Sequence, residues 1–230
     1  MMQRFSSQAL RPTPVAAAWL ALAGFTALLA AYVAAFSYST WEVELTRGIQ
    51  AASPGALDHV AEFMTFIGRS PISTVLPAIA IAALWLSGQR RLSGFLALTA
   101  LARLIAPIVK VLVDRPRPAA ALVDVANQLS SPSFPSGHVL GATLFYGFLI
   151  YCAEYAIPNR RTLRRTIQGG LALIIVLMAY ARVQLGEHWP TDVLGGFALG
   201  LLILALIIGL HRLVGRPGHA ERPAPAVAKS

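Results

Sequence analysis

The stretch TDVLGGFALGLLILALIIGLHRL, residues 191–213, decides the fold of this protein. Between Asp192 and His211 it contains no charged residue and is rich in Leu, Ile, Ala and Gly. A helix rises ~1.5 Å per residue, so about 20 apolar residues cross the ~30 Å hydrocarbon core of a bilayer. The stretch is therefore predicted to be a transmembrane helix.

Five other runs have a similar apolar character: residues 15–36, 71–88, 92–113, 136 or 138 to 157, and 167–185. The first could be a cleaved signal peptide, but it exceeds the roughly 7–15 apolar residues of such a segment. We therefore interpret it as a retained helix. Residues 58–67, DHVAEFMTFI, have helical apolar spacing and are predicted to lie at the membrane interface.

The six runs predict an all-α, polytopic membrane protein with six transmembrane helices. Its membrane domain is predicted over residues 15–213. Residues 1–14 are predicted to be a cytoplasmic N-terminal segment. Residues 214–230 are rich in Pro and Ala and are predicted to be a disordered cytoplasmic tail.

The composition excludes several other classes of protein. The chain is 56% hydrophobic and 13% charged, whereas soluble globular chains are about 25% charged. Its single cysteine, Cys152, rules out an internal disulfide framework and a Cys-based zinc site. The formal net charge is +9, but the basic residues are dispersed between apolar runs, so we predict no nucleic-acid binding.

The distribution of charge predicts the orientation in the membrane. Most Lys and Arg residues, including those of loop 160–165, fall on the side that both termini share. The opposite side holds eight of the ten acidic residues. Because basic loops stay in the cytoplasm, both termini are predicted to be cytoplasmic in the cell (inner or plasma) membrane. The loops after the first, third and fifth helices are then predicted to face outward.

Three outward segments carry polar side chains that a membrane bundle rarely contains. They are KVLVDRPRP at residues 110–118, PSGH at 135–138 and RVQLGEHWPTD at 182–192. Each lies at the end of a predicted helix on the same side, so all three can meet at one depth. Charged groups near the membrane are costly, and a functional site is the default hypothesis for them.

The first feature of these segments is a set of anion-binding groups. Lys110, Arg117 and Arg182 are three cations, two of which have planar guanidinium groups suited to phosphate oxygens. Ser136 and Gly137 lie where a helix is predicted to begin, so that unpaired backbone N–H groups point outward. Together they predict an anion site.

The second feature is a pair of histidines with a carboxylate. Pro190 favours the first position of a helix, which places Asp192 in the first turn, within reach of His188. A carboxylate there fixes the tautomer of the imidazole and leaves the other ring nitrogen free as a nucleophile. His138 supplies a second titratable ring.

Each residue also has a purely structural interpretation. Lys110 could extend from a helix end toward water, Ser136 could be a simple N-cap, and Asp192 could balance a helix dipole. The Arg-Pro repeat could be only a rigid loop. A structural interpretation must nevertheless explain three cations, two histidines and a carboxylate gathered on the less basic side. The combination favours function.

The three segments resemble the signature of the type-2 phosphatidic acid phosphatase superfamily. That signature is Lys, six residues, Arg-Pro; then Pro-Ser-Gly-His; then Ser-Arg, five residues, His, three residues, Asp. It is matched here from Lys110 to Pro118, by residues 135–138, and by Arg182, His188 and Asp192. One position departs from it, because Ala181 replaces the serine that helps to hold the phosphate. The resemblance covers roughly residues 55–210 and is similar to the family's membrane branch.

The resemblance implies a metal-independent lipid phosphatase with a phosphohistidine intermediate, which needs no cofactor. The implied catalytic residues are His188 as nucleophile, Asp192 as its orienting partner and His138 as general acid and base. The implied phosphate-binding residues are Lys110, Arg117, Ser136, Gly137 and Arg182. The implied substrate is a membrane lipid phosphate: phosphatidate, phosphatidylglycerol phosphate or undecaprenyl diphosphate.

Several alternatives remain at this point. The chain could transfer the phosphoryl group to another lipid, or bind anionic lipids without catalysis. A transporter is disfavoured because no inverted repeat is visible, and a vanadate-dependent haloperoxidase because those relatives are soluble. No pattern in the sequence indicates an oligomeric state.

Overall fold

The structure, a computed structural model, describes residues 13–52 and 55–215. Within these ranges every regular element is an α-helix. The nine helices of the described residues are α1 (Pro14–Ala35), α2 (Thr40–Ala51), α3 (Ala56–Gly68), α4 (Ile72–Leu86), α5 (Arg90–Ala102), α6 (Ile105–Val113), α7 (Gly137–Ala156), α8 (Arg161–Gln184) and α9 (Pro190–Val214). The N-terminal segment up to residue 12 and the tail from residue 216 lie outside the described residues.

Among the described residues, five segments are long and apolar enough to cross a membrane. They are α1, α5 together with α6, α7, α8 and α9. A sixth crossing is possible if the pair α3 and α4, bent by 63°, counts as one span. The prediction of an all-α, polytopic membrane protein is confirmed, and the number of spans agrees with it if the bent pair is included.

The second predicted span differs from its expected form. It is α4, which has only 15 residues and is preceded by α3, the helix predicted over residues 58–67. α3 buries Ala61 and Met64 against α8, which explains its apolar spacing. The pair therefore enters the bundle as two short helices at an angle.

The third predicted span is broken at Arg103 and Leu104, between α5 and α6. Pro107 has no N–H group to donate to the carbonyl four residues earlier, which is that of Arg103. That carbonyl accepts a hydrogen bond from the N–H of Ala106 in a tighter turn instead. The break was not predicted from the sequence.

α7 is the central helix of the bundle. Within its apolar window, 61% of the residues are buried inside the protein, against 6% for α1. On one side Leu140, Leu144 and Phe148 pack with residues of α5 and α9. On the other, Val139 and Ala142 pack with α3 and α8. The outer surface is apolar, as at Leu86 and Leu112, which are 84% and 78% exposed.

Near their first turns, α9 approaches α7 closely at a glycine of α9, Gly196. A Cβ atom at Gly196 would lie 2.6 Å from the backbone oxygen of Ser136. The backbone N–H of Ser136 donates to the Asp192 carbonyl at 3.0 Å. This contact joins the PSGH segment directly to the first turn of α9.

Candidate active site

The three polar segments meet at one end of the bundle, where α6 and α8 end and α7 and α9 begin. We call this the site end. Lys110 lies in the last turn of α6, and Arg182 in the last turn of α8. Ser136 is the N-cap of α7, followed by Gly137 and His138. Arg117 and His188 lie in loops, and Asp192 lies in the first turn of α9.

His188 lies between a carboxylate on one side of its ring and a cation on the other. Its Nδ1 atom is 3.6 Å from Oδ2 of Asp192 and 3.3 Å from Oγ of Ser133. Its Nε2 atom is 3.3 Å from Nη1 of Arg117. Asp192 is held in turn by the backbone N–H of Trp189, which donates to Oδ2 at 2.8 Å. The predicted approach of Asp192 to His188 is present, and Nε2 faces Arg117.

The surroundings of His188 keep its imidazole neutral at neutral pH. Burial, the largest cause, lowers the pKa of His188 from its usual 6.5 to about 4. Arg117 and Lys110 lower this pKa further, while Asp192 opposes them. Because only the neutral ring has a free lone pair, His188 is able to act as a nucleophile through Nε2.

Backbone carbonyls position two of the predicted cations. Lys110 Nζ donates to the carbonyls of Pro132 and, at 3.3 Å, Ser133. Arg117 donates from Nε to the Ser131 carbonyl at 2.7 Å and from Nη1 to the Glu187 carbonyl at 2.5 Å. No ion pair among the described residues includes Lys110 or Arg117. Both charges are therefore held in place without being neutralised by a carboxylate.

The third predicted cation, Arg182, has a carboxylate partner that the sequence analysis missed. Its Nη1 atom pairs with Glu187, and its Nη2 atom donates to Oγ1 of Thr65. Glu187 also accepts from Asn127 at 2.9 Å and lies 3.9 Å from Arg69. Arg182 is thus fully buried and already charge-balanced, which leaves Lys110 and Arg117 as the unpaired cations of the predicted set.

Three polar atoms of the predicted residues are buried and have no hydrogen-bond partner among the residues that the structure describes. They are Oγ of Ser136, Nε2 of His138 and Nε of Arg182. Most buried polar groups in proteins have partners, so each exception needs an explanation. Ser136 Oγ and Arg182 Nε can donate hydrogen bonds, as can His138 Nε2 when it carries the ring proton, and an anion with several oxygens would provide acceptors for them.

The sequence analysis also missed a buried network behind Asp192. Arg115 donates to Oδ1 of Asp192 at 2.7 Å, to Oγ1 of Thr191 at 2.6 Å and to Oε2 of Glu42 at 2.8 Å. The side chains of Arg115, Asp192 and Glu42 are fully buried. The sequence analysis gives Arg115 no role of its own within segment 110–118, and Glu42 lies more than 70 residues away in α2. The pair of basic residues around Pro116 was the only signal in the sequence.

Ala181, where the resemblance implies a serine, is fully buried in the apolar cluster that Val139 and Met178 form with α3.

The turn that leads from α8 to His188 contains Gly186, with φ of +59°. A Cβ atom there would lie 2.0 Å from the carbonyl oxygen of Asp124. The loop that carries the candidate nucleophile therefore packs tightly against the loop before α7.

A cavity of about 760 Å³ lies between α4 and the α5–α6 pair and reaches the site end. Lys110, Gly137 and His138 line its upper part. Its walls deeper in the bundle include Pro77, Ile81, Ala97, Ala100 and Leu101. The cavity thus connects the polar groups with an apolar space between helices. Among the described residues, no group of three or more His, Cys, Asp or Glu side chains could hold a metal ion.

Comparisons with known proteins show the family to which the chain belongs. Residues 91–216 match the sequence model of the PAP2 superfamily. Phosphatidylglycerophosphatase B of Bacillus subtilis (strain 168) is 34% identical over 165 residues, covering 70% of this chain and 78% of that protein. Undecaprenyl-diphosphatase BcrC of the same organism is 28% identical over 159 residues, covering 66% and 72%.

The fold is also similar to that of a solved relative. The crystal structure of a transmembrane PAP2-type phosphatidylglycerolphosphate phosphatase from Bacillus subtilis superposes with a TM-score of 0.76 at 27% identity. The alignment covers 86% of this chain and 98% of that one. The resemblance noted in the three motifs is confirmed: the chain belongs to the PAP2 superfamily and is a membrane phosphatase.

Proposed function

We propose that the protein hydrolyses the terminal phosphate of a membrane lipid through a phosphohistidine on His188, without a metal ion or cofactor. The candidate substrates are phosphatidate, phosphatidylglycerol phosphate and undecaprenyl diphosphate. The observation that carries the proposal is the environment of His188. Its Nδ1 atom faces Asp192, and its Nε2 atom lies 3.3 Å from the unpaired cation Arg117.

In the first step, Nε2 of His188 attacks phosphorus while the bond between phosphorus and the leaving oxygen breaks. His138, at the start of α7, gives its proton to that oxygen. The positive charge that develops on the His188 ring is balanced by Asp192, which Arg115 and Trp189 hold in position. The product of this step is the lipid alcohol or lipid phosphate, together with the phosphohistidine.

In the second step, water attacks the phosphohistidine. His138 takes a proton from the water, the new P–O bond forms, and the P–N bond to His188 breaks to release inorganic phosphate. Lys110 and Arg117 stabilise the negative charge on the phosphoryl oxygens in both steps. The three unpartnered donors of Ser136, His138 and Arg182 are available for the same oxygens or for the leaving group.

The cavity supports a lipid substrate, because its apolar part begins next to His138 and Lys110. The tail of the lipid would occupy the space between α4 and α5, while the phosphate reaches the site end. We propose that the site end faces outward from the cytoplasm, with both termini cytoplasmic. The basic residues of 160–165, which precede and begin α8 at the opposite end of the bundle, support this orientation.

A phosphate-release assay on the purified protein in detergent, with the three candidate lipids, tests the proposal. Rapid quenching with a ³²P-labelled substrate should trap an acid-labile, base-stable phosphoprotein, which is absent in His188→Ala. Turnover of His188→Ala should fall by several orders of magnitude, and EDTA should leave the wild-type rate largely intact. Near-normal turnover of His188→Ala, or complete loss in EDTA with recovery in Mg²⁺, would contradict the mechanism.

A further inference from the structure

Arg103 is a charged residue in the interior of an apolar span, between α5 and α6, and the catalytic scheme does not use it. It is half-buried, and no ion pair among the described residues includes it. Among the described residues, the only hydrogen bond of its side chain runs from Nη1 to the Ser73 carbonyl, at 2.7 Å. An arginine at membrane depth is costly and normally has a functional partner.

Arg103 lies about one helical turn deeper in the bundle than His138, the candidate general acid. A Cβ atom at Gly141 would lie 3.1 Å from Nε of Arg103. Gly141 follows His138 by three residues, about one helical turn deeper along α7.

The cavity places Arg103 on the leaving-group side of the site. The titratable side chains that line the cavity are Lys110 and His138 at its upper end and Arg103 beyond them. The rest of the lining is small, apolar or uncharged. In a lipid that occupies this cavity, the atoms on the leaving-group side of the scissile P–O bond lie next to Arg103.

We propose that Arg103 binds a second phosphate on the leaving-group side of the substrate. The preferred substrates are then lipids with two phosphates in series, either a diphosphate or a phosphomonoester joined to the lipid through a phosphodiester. This inference rests on the proposed function, because it takes His138 as the group that faces the leaving oxygen. Nε and Nη2 of Arg103, which do not bond to Ser73, supply the donors.

The two kinds of substrate use Arg103 differently. In a diphosphate, the leaving group is itself a phosphate that gains negative charge as the P–O bond breaks, so Arg103 stabilises the transition state and raises kcat. When the second phosphate is a phosphodiester, it does not take part in the bond that breaks, so its negative charge is the same in the substrate and in the transition state. Arg103 then binds substrate and transition state equally and lowers KM.

The competing explanation is structural. Arg103 would only hold the break between α5 and α6 against the first turn of α4, through Ser73. In that case its loss would lower the thermal stability and reduce the hydrolysis of all lipid phosphates alike.

The test compares the full-length wild type with Arg103→Met and Arg103→Lys on phosphatidate, phosphatidylglycerol phosphate and undecaprenyl diphosphate. We expect Arg103→Met to lower kcat/KM about 10-fold or more on the two substrates with two phosphates, as for a lost charged hydrogen bond. The loss should appear in kcat for the diphosphate and in KM for the phosphodiester. Phosphatidate should change little, and Arg103→Lys should recover part of each loss.

Arg91→Met is the matched control, because Arg91 is an arginine at the other end of the same span, bonded to His211 at 3.0 Å. It should leave the ratios between substrates unchanged. An equal loss on all three lipids in Arg103→Met, or no loss on either lipid with two phosphates, overturns the inference.

A binding measurement separates this inference from the proposed function. Inorganic pyrophosphate should raise the melting temperature of the wild type more than inorganic phosphate does, and Arg103→Met should remove that difference. If the wild type releases phosphate from none of the lipids, the proposed function fails. In that case the melting temperatures decide the inference about Arg103. A larger shift with pyrophosphate that Arg103→Met removes supports the inference, and the absence of such a difference overturns it.

Discussion

Arg115 is bonded to two buried carboxylates at once, those of Glu42 and Asp192. It touches no reacting atom in the proposed chemistry and acts by positioning Asp192 behind His188. A buried ion pair is weak evidence for net stability, but removing one partner leaves the other charge buried and uncompensated, which costs about 3–5 kcal/mol. The two buried carboxylates therefore depend on Arg115 to balance their negative charge.

We expect Arg115→Met to lower both the melting temperature and kcat, the latter about 10- to 100-fold, as for the loss of a carboxylate-orienting partner. The double variant Arg115→Met/Glu42→Gln should recover part of the stability, because one unpaired charge is removed, but not kcat. Thermal unfolding and steady-state kinetics distinguish the two. Recovery of kcat together with stability would show that Arg115 acts only on folding.

The pH dependence of the reaction should report the unusual pKa of His188. Protonation removes the nucleophilic lone pair, so activity is lost as the pH falls through the pKa of the folded enzyme, about 4. We expect kcat/KM, corrected for ionisation of the substrate phosphate, to decline near pH 4. Because Arg117 lowers this pKa, the residual activity of Arg117→Gln should decline at a higher pH. An acid limb near 6.5 in the wild type would contradict the buried, neutral imidazole.

The candidate site was predictable from sequence only where spacing carries the information. His188 and Asp192 are four residues apart and share one helix start, so their proximity follows from local geometry. The pairing of Glu42 with Arg115 joins residues 73 positions apart, which no local pattern reveals. Glu187 is adjacent to His188, but its bond to Arg182 depends on how the chain turns at Gly186.

The helices α7 and α9 must approach closely for the PSGH segment to meet Asp192, and Gly196 is the point of contact. We expect Gly196→Ala to push the helices apart, since its Cβ atom would meet the Ser136 backbone oxygen at 2.6 Å, which cannot swing aside. Overpacking of this kind costs about 1–3 kcal/mol. Both the melting temperature and the phosphatase activity should fall.

Gly209→Ala is the control on the same helix, because nothing lies within 4 Å of its added Cβ atom. It should be neutral or slightly stabilising, since Ala favours the helix over Gly. Equal effects of the two substitutions would mean that helix propensity, and not the close approach, determines the outcome.

Hydropathy predicted the long helices well but not their interruptions. α1, α7 and α9 match the predicted runs to within about two residues, because the length of an apolar run is set by the membrane. The bend between α3 and α4 and the break at Arg103 are local backbone events inside or beside apolar runs. Pro107 was a signal for the break, but a proline inside a transmembrane helix is often tolerated.

At the scale of the whole molecule, the orientation in the membrane determines which compartment supplies the substrate. A reporter inserted at Asn159, in the short connection between α7 and the basic start of α8, should behave as cytoplasmic. One inserted at Ala120, between α6 and α7, should behave as external. Alkaline phosphatase and green fluorescent protein fusions report the two sides independently. The reverse pattern would place the site end in the cytoplasm.

The shortness of α4 makes one wall of the cavity sensitive to the thickness of the bilayer. Its 15 residues span about 22 Å at ~1.5 Å each, some 8 Å less than a ~30 Å hydrocarbon core. Hydrophobic mismatch of this size is accommodated by local thinning or by tilting, and α4 contributes Ser73, Pro77 and Ile81 to the cavity. Hydrolysis of a long-chain lipid phosphate in vesicles should therefore vary with the acyl chain length of the phospholipids that form the bilayer. Hydrolysis of a short, water-soluble phosphate ester by the same vesicles should not, because such a substrate reaches the site end without passing this wall.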